Sequence, residues 1–107
     1  MSIGATSSDL TEISINFSGT GDNTVVSAVA GQHVRVYKIF FVVNAATNLI
    51  FKNDGTGLTG SVAMLANGSF VLDFDERPWF TATSGNAFII NQSGTAQISG
   101  RCYYVQA

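Results

Sequence analysis

The sequence predicts an all-β chain: a single-domain antiparallel β-sandwich of jelly-roll type, with about eight strands. Three observations lead there. No stretch places apolar residues at i, i+3, i+4 and i+7 over the length of a helix. Short runs rich in Val, Ile, Phe, Thr and Tyr recur instead, separated by clusters of Gly, Asn, Asp and Ser, which is the spacing of sandwiches and barrels. The 107 residues suffice for one two-layer core and not for two.

Residues 1–8 are mostly small and polar and read as a flexible arm, leaving 9–107 for the sandwich. Glu12 to Phe17 alternates, with Ile13, Ile15 and Phe17 on one face and Glu12, Ser14 and Asn16 on the other, as in a half-buried strand. Ser18 to Asn23 is turn-forming, Thr24 to Val29 is a second strand, and Ala30-Gly31-Gln32 turns the chain. His33 to Val43 is the longest strand. Val34 and Val36 share one parity and Ile39, Phe41 and Val43 the other, so the switch near Tyr37-Lys38 predicts a bulge or a crossing between sheets. Past it Phe40 and Val42 are apolar too, which predicts burial of both faces, one in the core and one against a partner subunit. Asn48 to Lys52 is a fourth strand, closed by the loop Asn53 to Gly57. Gly60 to Leu65 and Ser69 to Phe74 flank Ala66-Asn67-Gly68, whose Asn-Gly pair suits a two-residue hairpin. Pro78, the single proline, marks an edge, and Trp79 to Thr81 adds a short segment. Ala87 to Asn91 and Gln97 to Gln106 complete the set.

Composition narrows the function. Charged residues make up 11% of the chain, against roughly 25% in ordinary soluble domains. The surface must then be covered by Ser, Thr, Asn and Gly, which suits an assembly in which exposed charges would have to be desolvated. The net charge is -2, and Arg35, Lys38, Lys52, Arg77 and Arg101 are scattered, so the clustered basic face that nucleic acid requires is missing. The longest apolar run, Ile39 to Val43, fits a strand and falls far short of the ~18 residues of a membrane span. No basic residue followed by an apolar stretch opens the chain, so no signal peptide is expected. Asn16-Phe17-Ser18, Asn67-Gly68-Ser69 and Asn91-Gln92-Ser93 match the glycosylation pattern but read as turn composition.

Chemistry-bearing motifs are few. Cys102 is the single cysteine, so no internal disulfide forms, and it reads as a small buried hydrophobe. His33 and Cys102 alone cannot build a zinc site, and no Gly-x-Ser-x-Gly elbow accompanies the histidine. Asp73 and Asp75, two apart, would share a face of an extended chain. They could bind calcium or pair for glycoside hydrolysis, although the fuller ligand set of a calcium loop is missing, and a solvated strand end neutralised by Arg77 is the simpler reading. Trp79, the single tryptophan, could stack on a sugar or anchor a core or interface. The glycines fall at turns, with no phosphate-cradling pattern. No catalytic constellation, cofactor site or metal site is expected.

The stretch Val25 to Val36 sets a Gly-x-x-Val-Arg-Val strand after a Val-rich one. The hairpin Phe51 to Gly60, the segment Pro78-Trp79-Phe80-Thr81-Ala82-Thr83, the segment Gly85 to Ile90 and the aromatic ending Tyr103-Tyr104-Val105 follow. Over residues 23–105 this resembles small phage virion proteins. The resemblance implies a jelly-roll-like capsid decoration, or cement, protein. Such a protein is made in the host cytoplasm and sits on the capsid surface, often as a trimer at three-fold positions, with copies of itself and the major capsid protein as partners. On that reading Phe40, Val42, Trp79, Phe80, Tyr103 and Tyr104 are the interface candidates, and the arm orders on contact. The alternative is a tail-fibre or receptor-binding module that takes glycans through Trp79, Asp73 and Asp75.

Overall fold

Ten strands and no helix are found among residues 10–107, the part of the chain that the computed structural model describes. The expected arm at residues 1–8 lies outside the described residues. The strands are β1 (Thr11–Phe17), β2 (Gly21–Val26), β3 (Val34–Val43), β4 (Thr47–Asn53), β5 (Thr56–Gly57), β6 (Val62–Met64), β7 (Ser69–Leu72), β8 (Phe80–Ala82), β9 (Phe88–Gln92) and β10 (Ile98–Gln106).

They pair antiparallel in two sheets. The first runs β1-β10-β3-β7, with β8 also on β3; the second runs β2-β9-β4-β5, with β6 also on β4. Without the short β5 and β8, the orders are β1-β10-β3-β7 and β2-β9-β4-β6, the two interlocked Greek keys of a jelly roll. The β-sandwich expected from the sequence is therefore the fold, with ten strands in place of eight. The surplus is β5, two residues inside the stretch read as a loop, and β8, the segment beside Pro78.

The long strand β3 explains much of this. Tyr103 pairs with Lys38 and Tyr104 with Val36, so Tyr37 is an extra residue, a bulge where the parity of apolar residues switches. Val34, Val36, Ile39, Phe41 and Val43 are consequently all buried. The bulge also divides the far edge of β3: β7 pairs with Ile39 to Val42, and β8 with Val34 to Val36. Tyr37 is itself buried, its ring 6.3 Å from that of Phe74.

Several boundaries move from their expected places for local reasons. β2 starts at Gly21, because Asn23 Nδ2 donates to the carbonyls of Gly19 (2.9 Å) and Gly21 (3.2 Å) and closes the turn early. β7 stops at Leu72, because Asp73 Oδ1 accepts the Phe74 N–H (2.8 Å) and draws the backbone out of the ladder. Asn67-Gly68 does not close a hairpin, since β6 and β7 belong to different sheets. It forms a corner in which Gly68 N donates to Leu65 O (2.9 Å) and Asn67 takes φ 64°, as a type II turn demands at its third residue.

Between the sheets lies an aromatic stack. Phe70 lies 5.0 Å from Phe41 and 5.1 Å from Phe51, while Phe80 lies 4.8 Å from Phe51 and 5.6 Å from Phe88. Gln92 is the fully buried polar side chain of this interior, with Thr47 buried beside it. Its Oε1 accepts from Thr47 Oγ1 and Ala96 N (both 3.1 Å), and its Nε2 donates to Gly19 O (3.0 Å) and Ala96 O (2.9 Å). Gly100 lets β10 approach β3 closely, since a Cβ there would run into the Phe40 carbonyl and Phe41 Cα. Cys102 is buried as expected, and burial pushes its thiol up to about 12, which keeps it protonated and unreactive.

Candidate interaction surface

Alternation along β3 sends Lys38, Phe40 and Val42 out of the first sheet, away from the core. The register lays their neighbours beside them: Val71 against Phe40 and Ser69 against Val42 on β7, Arg101 against Phe40 and Ser99 against Val42 on β10. Ser14 and Asn16 of β1 complete the rows next to Arg101 and Ser99. In the middle, Phe40, Val42 and Val71 are 40%, 50% and 62% exposed, which makes a continuous apolar patch on an otherwise polar sheet face.

Charged groups border this patch and neutralise one another. Arg101 Nη1 meets Glu12 Oε1 at 2.6 Å. Lys38 Nζ stands 5.3 Å above the Tyr103 ring and 3.8 Å from Asp73 Oδ1. At the Val42 end the face runs into an open groove of about 290 Å³ lined by Val42, Val43, Asn44, Asn67, Gln97 and Ser99. Its wall is fixed by hydrogen bonds, with Gln97 N donating to Asn44 Oδ1 (2.8 Å) and Gln97 Nε2 donating to Asn16 Oδ1 (2.7 Å).

The six interface candidates separate into three groups. Phe40 and Val42 lie in the patch, and Tyr103 lies at its border under Lys38. Trp79 is half exposed in the connection from β7 to β8, its indole N–H donated to Asp73 O (2.7 Å) and its backbone N–H to Val36 O (2.7 Å). Phe80 and Tyr104 turn inward and pack on the core, so they take no part in the patch. Sequence reasoning missed Val71 and Leu65. The run Phe70-Val71-Leu72 carried the signal for the first, since alternation with inward Phe70 and Leu72 sends Val71 out.

Asp73 and Asp75 do not share a strand face, as calcium binding or paired-acid hydrolysis would have needed. Both follow the end of β7, and each serves its own loop: Asp73 Oδ1 accepts from Phe74 N (2.8 Å) and Asp75 Oδ1 from Arg77 N (3.3 Å). Among the described residues no three His, Cys, Asp or Glu side chains gather closely enough to hold a metal, and no helix is long and apolar enough to cross a membrane. His33 is half-buried, and its backbone pairs with Ala107 through bonds of 2.8 and 3.0 Å. Compared with family models, with curated proteins and with solved structures, the chain finds no match in any of the three.

Proposed function

We propose that this chain is a phage virion structural protein, a capsid decoration protein that stabilises the shell as a homo-oligomer, expected to be a trimer. The observation that carries the assembly part is the uncovered Phe40–Val42–Val71 patch on a chain with 11% charged residues. Side chains of this size each contribute about 1.5–3 kcal/mol when fully removed from water, and a lone subunit leaves roughly half of that gain unused at these positions. The resemblance of residues 23–105 to small virion proteins supports the phage and capsid part. A subunit that binds only the assembled shell stabilises it by mass action, and its site of action is the capsid surface, against the major capsid protein.

The test is co-sedimentation of the purified protein with empty shells assembled from the major capsid protein of the genome that encodes it. Wild type is expected to pellet with the shells and raise their disruption temperature. The Phe40→Thr, Val71→Thr double variant is expected to stay in the supernatant. Wild type that does not bind the shells overturns the reading. The glycan-binding alternative has less support, because the Trp79 indole N–H and the Asp73 and Asp75 carboxylates are already engaged within their own loop.

A further inference from the structure

We propose that copies of this chain join head to tail, with Leu65 of one copy seated in the groove beside Val42 of the next. The proposal rests on the assembly reading for its premise that copies meet, and it names the contact through which they do.

Leu65 is the most exposed of the large hydrophobic side chains among the described residues, at 78%. It stands on a stiff corner. Gly68 N donates to Leu65 O (2.9 Å), Asn67 N to Val43 O (2.9 Å) and Val43 N to Gly68 O (3.0 Å). The corner is thus bonded to itself and to the end of β3, and a leucine presented from it loses little further freedom on docking. The groove is equally prepared. Val42 lines it, and its amides Asn44 and Gln97 are already engaged, Asn44 Oδ1 accepting from Gln97 N and Gln97 Nε2 donating to Asn16 Oδ1.

Knob and groove are neighbours in one molecule, since Asn67 belongs both to the corner and to the groove lining. Leu65 itself is nevertheless not among the residues that line the groove, and it stays open to solvent. Two such features that do not meet within a subunit can be satisfied between copies, and where the rotation relating them is not a two-fold the contact is heterologous, as the head-to-tail arrangement proposed here requires. Such contacts close into a ring when the rotation divides a full turn, the symmetry a trimer requires.

The chemistry favours a second copy as the occupant. The eighteen residues from Gly55 to Leu72 contain no ionisable side chain. They include Leu58, Leu65 and Val71, all exposed. The groove lining is likewise uncharged. A neutral knob and a neutral groove match each other, whereas a charged partner would meet no countercharge at either. The edge strands on this side, Val62–Met64 and Ser69–Leu72, also carry no charge or proline to discourage pairing, as edges left open to water usually do.

Sedimentation equilibrium on wild type, Leu65→Glu, Val42→Glu and an equimolar mixture of the two variants tests this. Both positions are exposed, so each variant is expected to keep the wild-type circular dichroism and melting curve. Wild type is expected at a multiple of the 11.3 kDa chain mass. Each variant alone should be monomeric, its dissociation constant raised by roughly thirty-fold or more, as for loss of an interface hot spot. In the mixture the intact Leu65 of one variant meets the intact groove of the other, and a dimer forms and grows no further. Wild type that stays monomeric, Leu65→Glu that keeps the wild-type mass, or a mixture that remains monomeric each overturns the head-to-tail contact. Any of these combined with intact shell binding leaves the decoration reading standing, whereas an oligomer that ignores shells removes that reading and keeps the contact.

Discussion

The two sheets turn different outer faces to solvent. On the second, Ile89 projects outward from β9 and is still only 7% exposed. Lys52 is its cross-strand partner on β4, and Lys52 Nζ reaches Asp22 at 3.0 Å while Asn91 Nδ2 donates to the same carboxylate at 2.7 Å. A polar net thus borders Ile89, and Ile50, the other large apolar residue at the centre of that face, is half-buried opposite Asn91. On the first sheet the charged residues pair at the margins, and Phe40, Val42 and Val71 stay open between them. One sheet solves its contact with water inside the monomer; the other leaves it to a neighbour.

The largest expected effect probes the interior behind the covered face. Gln92→Ala leaves the Thr47 hydroxyl and the Ala96 N–H without their partner, and thermal unfolding should show a loss of about 3 kcal/mol, roughly 12–24 °C in melting temperature. Next comes the direct contrast between faces. Ile89→Ala should cost about 2 kcal/mol, whereas Phe40→Thr with Val71→Thr should change monomer stability by less than about 0.5 kcal/mol per site and abolish binding of an apolar dye. Equal losses on the two faces would break the comparison. A smaller effect tests the net itself. Hydrogen bonds from Asn91 and Lys52 hold the Asp22 carboxyl below its ordinary range. Its stabilisation is therefore full above the unfolded-state value and is lost as pH falls through the lower folded-state value. Asp22→Asn should melt slightly below wild type at pH 7, by less than about 1 kcal/mol at this exposed site, and the difference should shrink as pH falls through the folded-state value of Asp22. The smallest effect is an expected constancy. Cys102 lies beneath the open face, so its labelling by a thiol reagent should stay as slow in the Phe40→Thr, Val71→Thr variant as in wild type. Faster labelling would mean that the patch holds the monomer together.

What the sequence made legible was the local, period-two signal. Ile13, Ile15 and Phe17 face the core as their alternation requires, and the parity switch at Tyr37-Lys38 is a bulge. Facing choices set by distant strands were less accessible. Trp79 and Phe80 are adjacent, so alternation says that they part, but it takes the pairing of Phe80 with Val36 to say which one goes inward. Leu65 read as the end of a strand, and only the left-handed Asn67 beside β3 reveals it as a projecting corner. Val71 was readable and overlooked: with Phe70, Leu72 and Phe74 read as inward, alternation already sends it outward, yet it was not counted among the interface candidates. The patch was half foreseen, through Phe40 and Val42, and its other half came from the register of β7.

The position of β10 carries a consequence for how the chain becomes a domain. It pairs with β1 on one side and β3 on the other, so the first sheet joins the opposite ends of the described chain through its middle. Until the ribosome has delivered Ile98 to Gln106, β1 has no ladder in its own sheet and the apolar edge of β3 stays open. Such long-range closure belongs to the millisecond-to-second regime of folding. The nascent subunit is therefore most vulnerable to aggregation just before its synthesis passes Gln106, and a nonsense truncation within β10 would orphan two strands at once.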